Sequence, residues 1–430
     1  YHKGFRLANK GENIKAGLYI LREGKVAIER DGDTKILSPG SYFGEDTLVS
    51  KPHGPQTLAI SKSTITLAED SILSLLPLKA ISTVINPARL AKRSAAEKSK
   101  ASTEILFQDV KKLKILGAGT FGQVWLVSNR KSKEAVPLAL KIQSKRELIN
   151  HHQVKGVMRE RKIMGMLDHP FIIKLHQTFQ DDKFLYLLMD MIQGGELFTV
   201  IHSFTKDGVK ESQAQFYAAG VLEALAYFHS RHIVYRDLKP ENVLIDRHGY
   251  PVLIDLGFAK VVMDKTYTLC GTPLYLAPEV ILSRGHNKAA DYWSWAVMVY
   301  EMISGVTPFL EERMDQITLF KRITRGKFYF PQGNIMSSEV KELISRILII
   351  NPSERLGSFA RGAQDIKDHH WFNNLDFKKL LKRELRGPWI PKIKNALDVS
   401  NFDSWDHLPD KTKESGKKVS PAEQQLFDGF

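Results

Sequence analysis

Residues 1 to about 75 alternate apolar and polar positions in short runs broken by glycine. Leu18–Leu21, Lys25–Ile28, Thr34–Leu37 and Ile65–Leu67 follow the period of half-buried strands, with turns at Arg22-Glu23-Gly24, Asp31-Gly32-Asp33 and Pro39-Gly40. Strands so closely spaced predict a small β-barrel or sandwich. From Ser71 the pattern turns helical and ends in a lysine- and alanine-rich stretch, Arg89–Thr103. That stretch has good helix formers but almost no apolar stripe, so it predicts an exposed helix or a linker. A second strand-rich region runs from about Phe107 to Asp190, with one helical interruption over Val154–Leu167. Beyond Gly195 the period is helical, and Ser212–His229 sets Phe216, Ala219, Leu222, Leu225 and Tyr227 near one side. The C-terminal part thins to isolated apolar anchors, Phe402, Trp405, Phe427 and Phe430. A strand-rich lobe followed by a helical lobe is an α+β pattern, not a repeating βαβ sheet.

Composition narrows the function classes. At 43% hydrophobic and 26% charged residues, the chain is ordinary for a globular protein. No apolar run approaches the ~18 residues of a membrane helix, so no transmembrane segment is expected. The formal charge of +14 would attract polyanions. Its basic residues are scattered, however, and no aromatic RNA-reading motif accompanies them, so nucleic acid is not an expected partner. Cys270 is the single cysteine, which excludes an internal disulfide and points to a reducing, cytoplasmic setting. The chain opens on Tyr1 rather than Met, which reads as a fragment boundary with upstream regions missing.

The candidate chemistry lies in an ordered series. Gly117-Ala118-Gly119-Thr120-Phe121-Gly122-Gln123-Val124 sits between two strand-like runs, where glycines let backbone amides approach phosphate oxygens. Alone it could equally be a glycine-rich hairpin without a ligand. Because it leads into a strand, it is unlike a dinucleotide-binding turn that opens a helix. Lys141 then ends an apolar strand, where a solvated charge is unexpected, and Glu160 follows in the helical interruption. Tyr235-Arg236-Asp237-Leu238-Lys239-Pro240-Glu241-Asn242, Asp255-Leu256-Gly257 and Ala277-Pro278-Glu279 complete the series. Each has a bland reading as an ion pair or a turn, but their joint order does not.

This series resembles the eukaryotic protein kinases, from about residue 109 to 371. The resemblance implies a bilobal kinase fold, with a small lobe over 109–190 and a large lobe over 191–371. It implies that Gly117, Gly119, Gly122 and Val124 cover ATP, and that Lys141 holds the α- and β-phosphates while pairing with Glu160. Asp237 would accept the substrate hydroxyl proton, with Lys239 near the transferring phosphate. Asn242 and Asp255 would hold Mg2+ through oxygen. Met189 stands at the gatekeeper position, and Asp190 to Ile192 at the adenine hinge. Leu256 departs from the family's usual phenylalanine, a change of size rather than of chemistry.

Tyr235, the run Thr268–Glu279 and the tail elements Asn401–Trp405, Val419-Ser420-Pro421 and Phe427–Phe430 are similar to the AGC group, with 372–430 as its C-terminal tail. That implies phosphorylation of Thr268, a Ser420 tail site, and terminal Phe427 and Phe430 packed on the small lobe. Thr272, Glu196, Glu241 and Glu301 match substrate-recognition positions, the glutamates for arginines ahead of the target serine or threonine. Leu274 replaces a glutamate there, so selection should weaken two residues before the target. Residues 1–88, with Phe43-Gly44-Glu45, resemble a cyclic-nucleotide-binding domain, joined by a linker over 89–108. Such a domain ahead of an AGC kinase is similar to the cGMP-dependent protein kinases. Gln56, beside Thr57, stands where that family has an arginine facing the cyclic phosphate, and Asp46 adds negative charge. The front domain is therefore expected to be degenerate and to bind cGMP weakly or not at all. A kinase with a purely structural front domain and a non-catalytic cyclic-nucleotide sensor are the alternatives.

Overall fold

The structure, a computed structural model, describes residues 1–15, 17–30, 33–44, 58–77, 105–132, 136–204, 208–311, 313–333, 335–413 and 418–430. It divides into two compact units, Tyr1–Glu104 and Ile105–Phe430. The expected helix or linker over Arg89–Thr103 lies outside the described residues, as do Glu45, Asp46, Gln56 and Thr57.

The first unit is sheet-rich. Antiparallel pairing joins Arg6–Ala8, Thr64–Leu67, Val26–Arg30 and Asp33–Leu37 in one sheet, and Tyr42–Phe43, Gly17–Glu23 and Ile72–Pro77 in another. Asn13–Lys15 pairs with Leu58–Ile60. Among the described residues these sheets do not close into a barrel. Alternation works as expected in Gly17–Glu23: Tyr19 and Leu21 turn inward, and Tyr19 stacks on Phe43 with ring centroids 5.2 Å apart. The helical reading from Ser71 is corrected, because Ile72–Pro77 is a strand paired with Gly17–Glu23. Leu73 and Leu75 pack on the core while Ile72 and Leu76 face outward. Leucines on both faces hid the two-residue period.

In the second unit five antiparallel strands pair in the order Val110–Gly119, Gly122–Asn129, Pro137–Ser144, Phe184–Asp190, Leu175–Gln180. Thr120 and Phe121 form the tip of the first hairpin. Helix Val154–Gly165 accompanies this sheet. Its buried positions Val157, Glu160, Ile163 and Met164 keep helical spacing, so the one carboxylate among them faces inward.

The helical part is built on Glu211–His229 and Lys288–Ser304, which pack on each other and are buried over most of their surface. The amphipathic stripe expected for the first of these is in fact a helix buried on every side from Phe216 to Leu225, Glu223 included, as a central helix requires. Glu279 and Arg355 form a buried two-point ion pair (2.8 and 3.1 Å), with the guanidinium 5.1 Å over Trp293. One core cluster runs from Leu185 and Leu187 of the sheet through both central helices to Phe427 and Phe430. Leu256 is wholly buried in it. Among the described residues no helix is long and apolar enough to cross a membrane.

Candidate active site

Lys141 lies within strand Pro137–Ser144, opposite Val124 on one neighbour and Leu187 on the other. That register aims its side chain away from solvent, toward helix Val154–Gly165. Its ammonium donates to Glu160 Oε1 at 2.7 Å and lies 3.6 Å from Asp255 Oδ1. Burial opposes the charge, but the two carboxylates outweigh it and hold the Lys141 ammonium above its ordinary value. Chiefly the same lysine draws Asp255 below the usual carboxylate range, against the opposing effect of burial. These groups open on a cavity of about 410 Å³ lined by Gly117, Gly119, Gly122, Val124, Phe121, Lys141, Glu160 and Asp255. Met189, Asp190 and Ile192 do not line it; Asp190 and Ile192 line a neighbouring cavity of about 400 Å³.

The second cluster follows strand Ile233–Val234. Asp291, in the first turn of Lys288–Ser304, accepts from the backbone N–H of Tyr235 (2.9 Å) and Arg236 (2.8 Å), and meets His229 Nε2 at 2.8 Å. Arg236 adopts φ 72°, a left-handed conformation that costs a non-glycine residue energy and that these bonds hold in place. The Asp237 carboxylate is thereby fixed: Oδ1 accepts from the Thr272 hydroxyl at 2.9 Å, and Oδ2 from the Asn242 amide at 2.9 Å. With its amide nitrogen committed, Asn242 has its carbonyl oxygen left for a hard cation. Asp255 accepts from the Gly257 amide at 3.1 Å and remains half exposed to the cleft. One amide oxygen and one carboxylate therefore fit a magnesium ion.

Three glutamates form a chain of mutually repelling charges. Burial raises the Glu196 carboxyl, and Glu241 and Asp403 raise it further. Glu301 is raised chiefly by burial, held by Tyr275 Oη at 2.5 Å and near His202 at 3.2 Å. Glu241 has a buried oxygen with no hydrogen-bond partner among the described residues. Asp403 reaches this group because the tail crosses Gly195, where a Cβ would stand 2.5 Å from Asn401 O and φ is +79°. Asn401 and Gln193 exchange further hydrogen bonds with the crossing segments.

Thr268 is exposed on the loop after Asp255. Lys260, on the same segment, donates to the Thr266 hydroxyl at 2.9 Å. Arg236 gives its Nε–H to Phe258 O at 2.7 Å, but its buried Nη1 and the buried Nε of Arg159 have no hydrogen-bond partner among the described residues. At the chain end, Ser420 caps helix Pro421–Gln424, whose Glu423 pairs with Arg146 at 2.6 Å. Phe427 and Phe430 are buried, and their turn packs on the helix that carries Glu160. Gly44 lies at the end of strand Tyr42–Phe43 with φ +90°.

Sequence reasoning missed Asp291, Arg159 and Asp403. An aspartate in the first turn of a mostly apolar helix was the visible signal for Asp291. Arg159 and Asp403 look like ordinary surface charges until distant segments meet.

A protein kinase domain model matches residues 110–372. The chain is 42% identical to the cAMP-dependent protein kinase catalytic subunit of Dictyostelium discoideum over 70% of its length and 45% of that protein's. It is 39% identical to the human cAMP-dependent protein kinase catalytic subunit PRKX, over 75% of this chain and 87% of that one. It is 37% identical to the cGMP-dependent protein kinase of Toxoplasma gondii over 96% of this chain, and so spans 40% of that longer protein. A protein kinase domain implies ATP and Mg2+ as the reaction's requirements. The chain belongs to the protein kinase family and is a serine/threonine protein kinase of the AGC group.

Proposed function

We propose that this chain is the catalytic part of a cGMP-dependent protein kinase, with 109–371 as the catalytic domain and 372–430 as its tail. The observation that carries catalysis is the linked set Glu160–Lys141–Asp255, with Asp237 held by both oxygens across the cleft. Lys141 binds and orients the α- and β-phosphates, kept charged by its two carboxylates. Gly117, Gly119 and Gly122 lend backbone amides to the phosphates, and Met189 to Ile192 border the adenine. Asp237 takes the proton from the substrate hydroxyl, and Lys239 stands by the transferring phosphoryl group. Asn242 and Asp255 hold magnesium, which supplies charge neutralisation at the phosphates.

Substrates are proteins with basic residues ahead of the target. The repelling carboxylates Glu196, Glu241 and Asp403 support this reading, because an arginine relieves their mutual repulsion. Glu301 contributes from beneath, already shared with Tyr275 and His202. Leucine at 274 weakens selection two residues before the target. Phosphate on Thr268 finds two arginine N–H groups, on Arg236 and Arg159, that have no hydrogen-bond partner among the described residues.

Regulation by cyclic nucleotide rests on relatives named cGMP-dependent protein kinases that align over 96% and 91% of the chain. Gln56 in the place of a phosphate-facing arginine favours weak binding by this front domain, so a response to cGMP would not depend on it. The test is phosphoryl transfer to an arginine-containing peptide, with and without cGMP. Lys141→Met and Asp237→Asn should each lower kcat by about 10²–10⁴-fold without unfolding the protein. Activity within a few-fold of wild type would remove these roles. Calorimetry should show weak or no cGMP binding, and stronger binding in Gln56→Arg; tight binding by the unmutated chain would make the front domain a direct switch.

A further inference from the structure

Outside the catalytic cleft, arginines gather where residues 247–250 of the large lobe meet residues 383–390 of the tail. Two chain segments meet there because neither has a side chain at the contact. A Cβ on Gly249 would stand 2.4 Å from Trp389 O, and one on Gly387 would stand 2.3 Å from His248 O. Gly249 also holds φ +81°, which an L side chain resists. This close approach encloses a cavity of about 360 Å³ lined by Arg247, His248, Tyr250, Arg383, Arg386 and neighbouring backbone. No carboxylate lines it.

The three arginines are not equivalent. Arg383 is the anchored one: it pairs with buried Asp246, and its guanidinium lies 4.8 Å over the Tyr250 ring. Tyr250 in turn donates to Leu385 O, which ties the floor of the cavity to the tail segment. Arg247 and Arg386 are exposed and make no hydrogen bond or ion pair among the described residues. His248 is exposed between them. Of the nearby acids, Asp246 is spent on Arg383, and Glu384 lies outside the lining, 3.9 Å from Lys382. The cavity therefore carries the charge of two unneutralised guanidinium groups on a rigid floor. Planar guanidinium forks match phosphate oxygens two at a time, and two of them lining one cavity suit a ligand with several phosphates.

We propose that Arg247 and Arg386, with His248, form a binding site for a polyphosphorylated ligand of the inositol phosphate class, presented either free or as a lipid headgroup. The site is independent of catalysis and leaves basal turnover unaffected.

The experiment uses the full chain with a saturating non-hydrolysable ATP analogue, so that the nucleotide cleft is occupied. Calorimetry with inositol hexakisphosphate and flotation with phosphatidylcholine vesicles, with and without a phosphoinositide bisphosphate, test the two sources. Binding in the micromolar range that falls about tenfold or more in Arg247→Gln/Arg386→Gln, and weakens with added salt, supports the site. Vesicle binding alone assigns the lipid headgroup, and binding of the free compound alone assigns a soluble ligand. Peptide phosphorylation by the double variant, equal to wild type, verifies that it is folded. Absence of binding in both arms overturns the proposal, and so does binding that the double variant retains.

Discussion

Gly117, Gly119 and Gly122 of the first hairpin are predicted to fail in two different ways when given a methyl group. In Gly122→Ala the new Cβ would stand 1.7 Å from Ile142 O, a backbone atom, whereas real Cβ atoms essentially never come closer than 3.0 Å. The strands must separate by the difference, 1.3 Å, at the point where Gly122 pairs with Gln143. Overpacking costs about 1–3 kcal/mol and a lost backbone hydrogen bond about 1 kcal/mol more, so the unit should lose roughly 2–4 kcal/mol. At about 2–4 °C per kcal/mol for a large domain, Tm should fall by roughly 4–16 °C. Gly117 and Gly119 have nothing within 4 Å of an added Cβ and no positive φ, so alanine there should leave Tm almost unchanged. Both line the cleft, however, and a methyl group holds the amides away from the phosphates. A misfitted methyl in a tight site is worth about 1–3 kcal/mol, which raises KM for ATP about ten- to a hundredfold. The assay is paired: thermal unfolding of the nucleotide-free protein, and initial rates against ATP concentration. A wild-type Tm for Gly122→Ala, or a wild-type KM for both Gly117→Ala and Gly119→Ala, would refute the reasoning.

Further predictions concern the loop and the substrate groove. Mass spectrometry of the fully active enzyme should find phosphate on Thr268; Thr268→Ala and Arg159→Gln should each lower kcat, and phosphatase treatment should have little further effect on either. An unmodified Thr268 in active enzyme would remove this reading. The Glu196 charge is present above its raised pKa and is lost as pH falls through it, so preference for arginine over alanine three residues before the target should fade at a higher pH than an ordinary carboxylate would give. In Glu196→Gln that preference, read as a ratio of kcat/KM values, should be small and flat with pH.

The glycine run, Lys141, Glu160, Asp237, Asn242 and Asp255 could be singled out in the chain because each falls on a short local pattern, and the fold brings Lys141, Glu160 and Asp255 together. A glycine run, a lysine in an apolar strand and an aspartate after one all stand out against their neighbours. The division into a strand-rich and a helical lobe was legible for the same reason, since periods of two and 3.6 are local properties. Ile72–Pro77 was not, because apolar residues on both faces carry no period and only its pairing with Gly17–Glu23 decides its state. The packing of segments distant in sequence settled the rest. Asp291 reaches the backbone of Tyr235 and Arg236 from a helix more than fifty residues away, and sets the strained φ that aims Asp237. Asp403 joins Glu196 because the tail crosses a glycine, and Gly249 meets Gly387 where a side chain on either would hold Arg247 and Arg386 apart. Local pattern selects which residues can do chemistry. Long-range contact, whose cost and geometry no short window records, decides which of them meet.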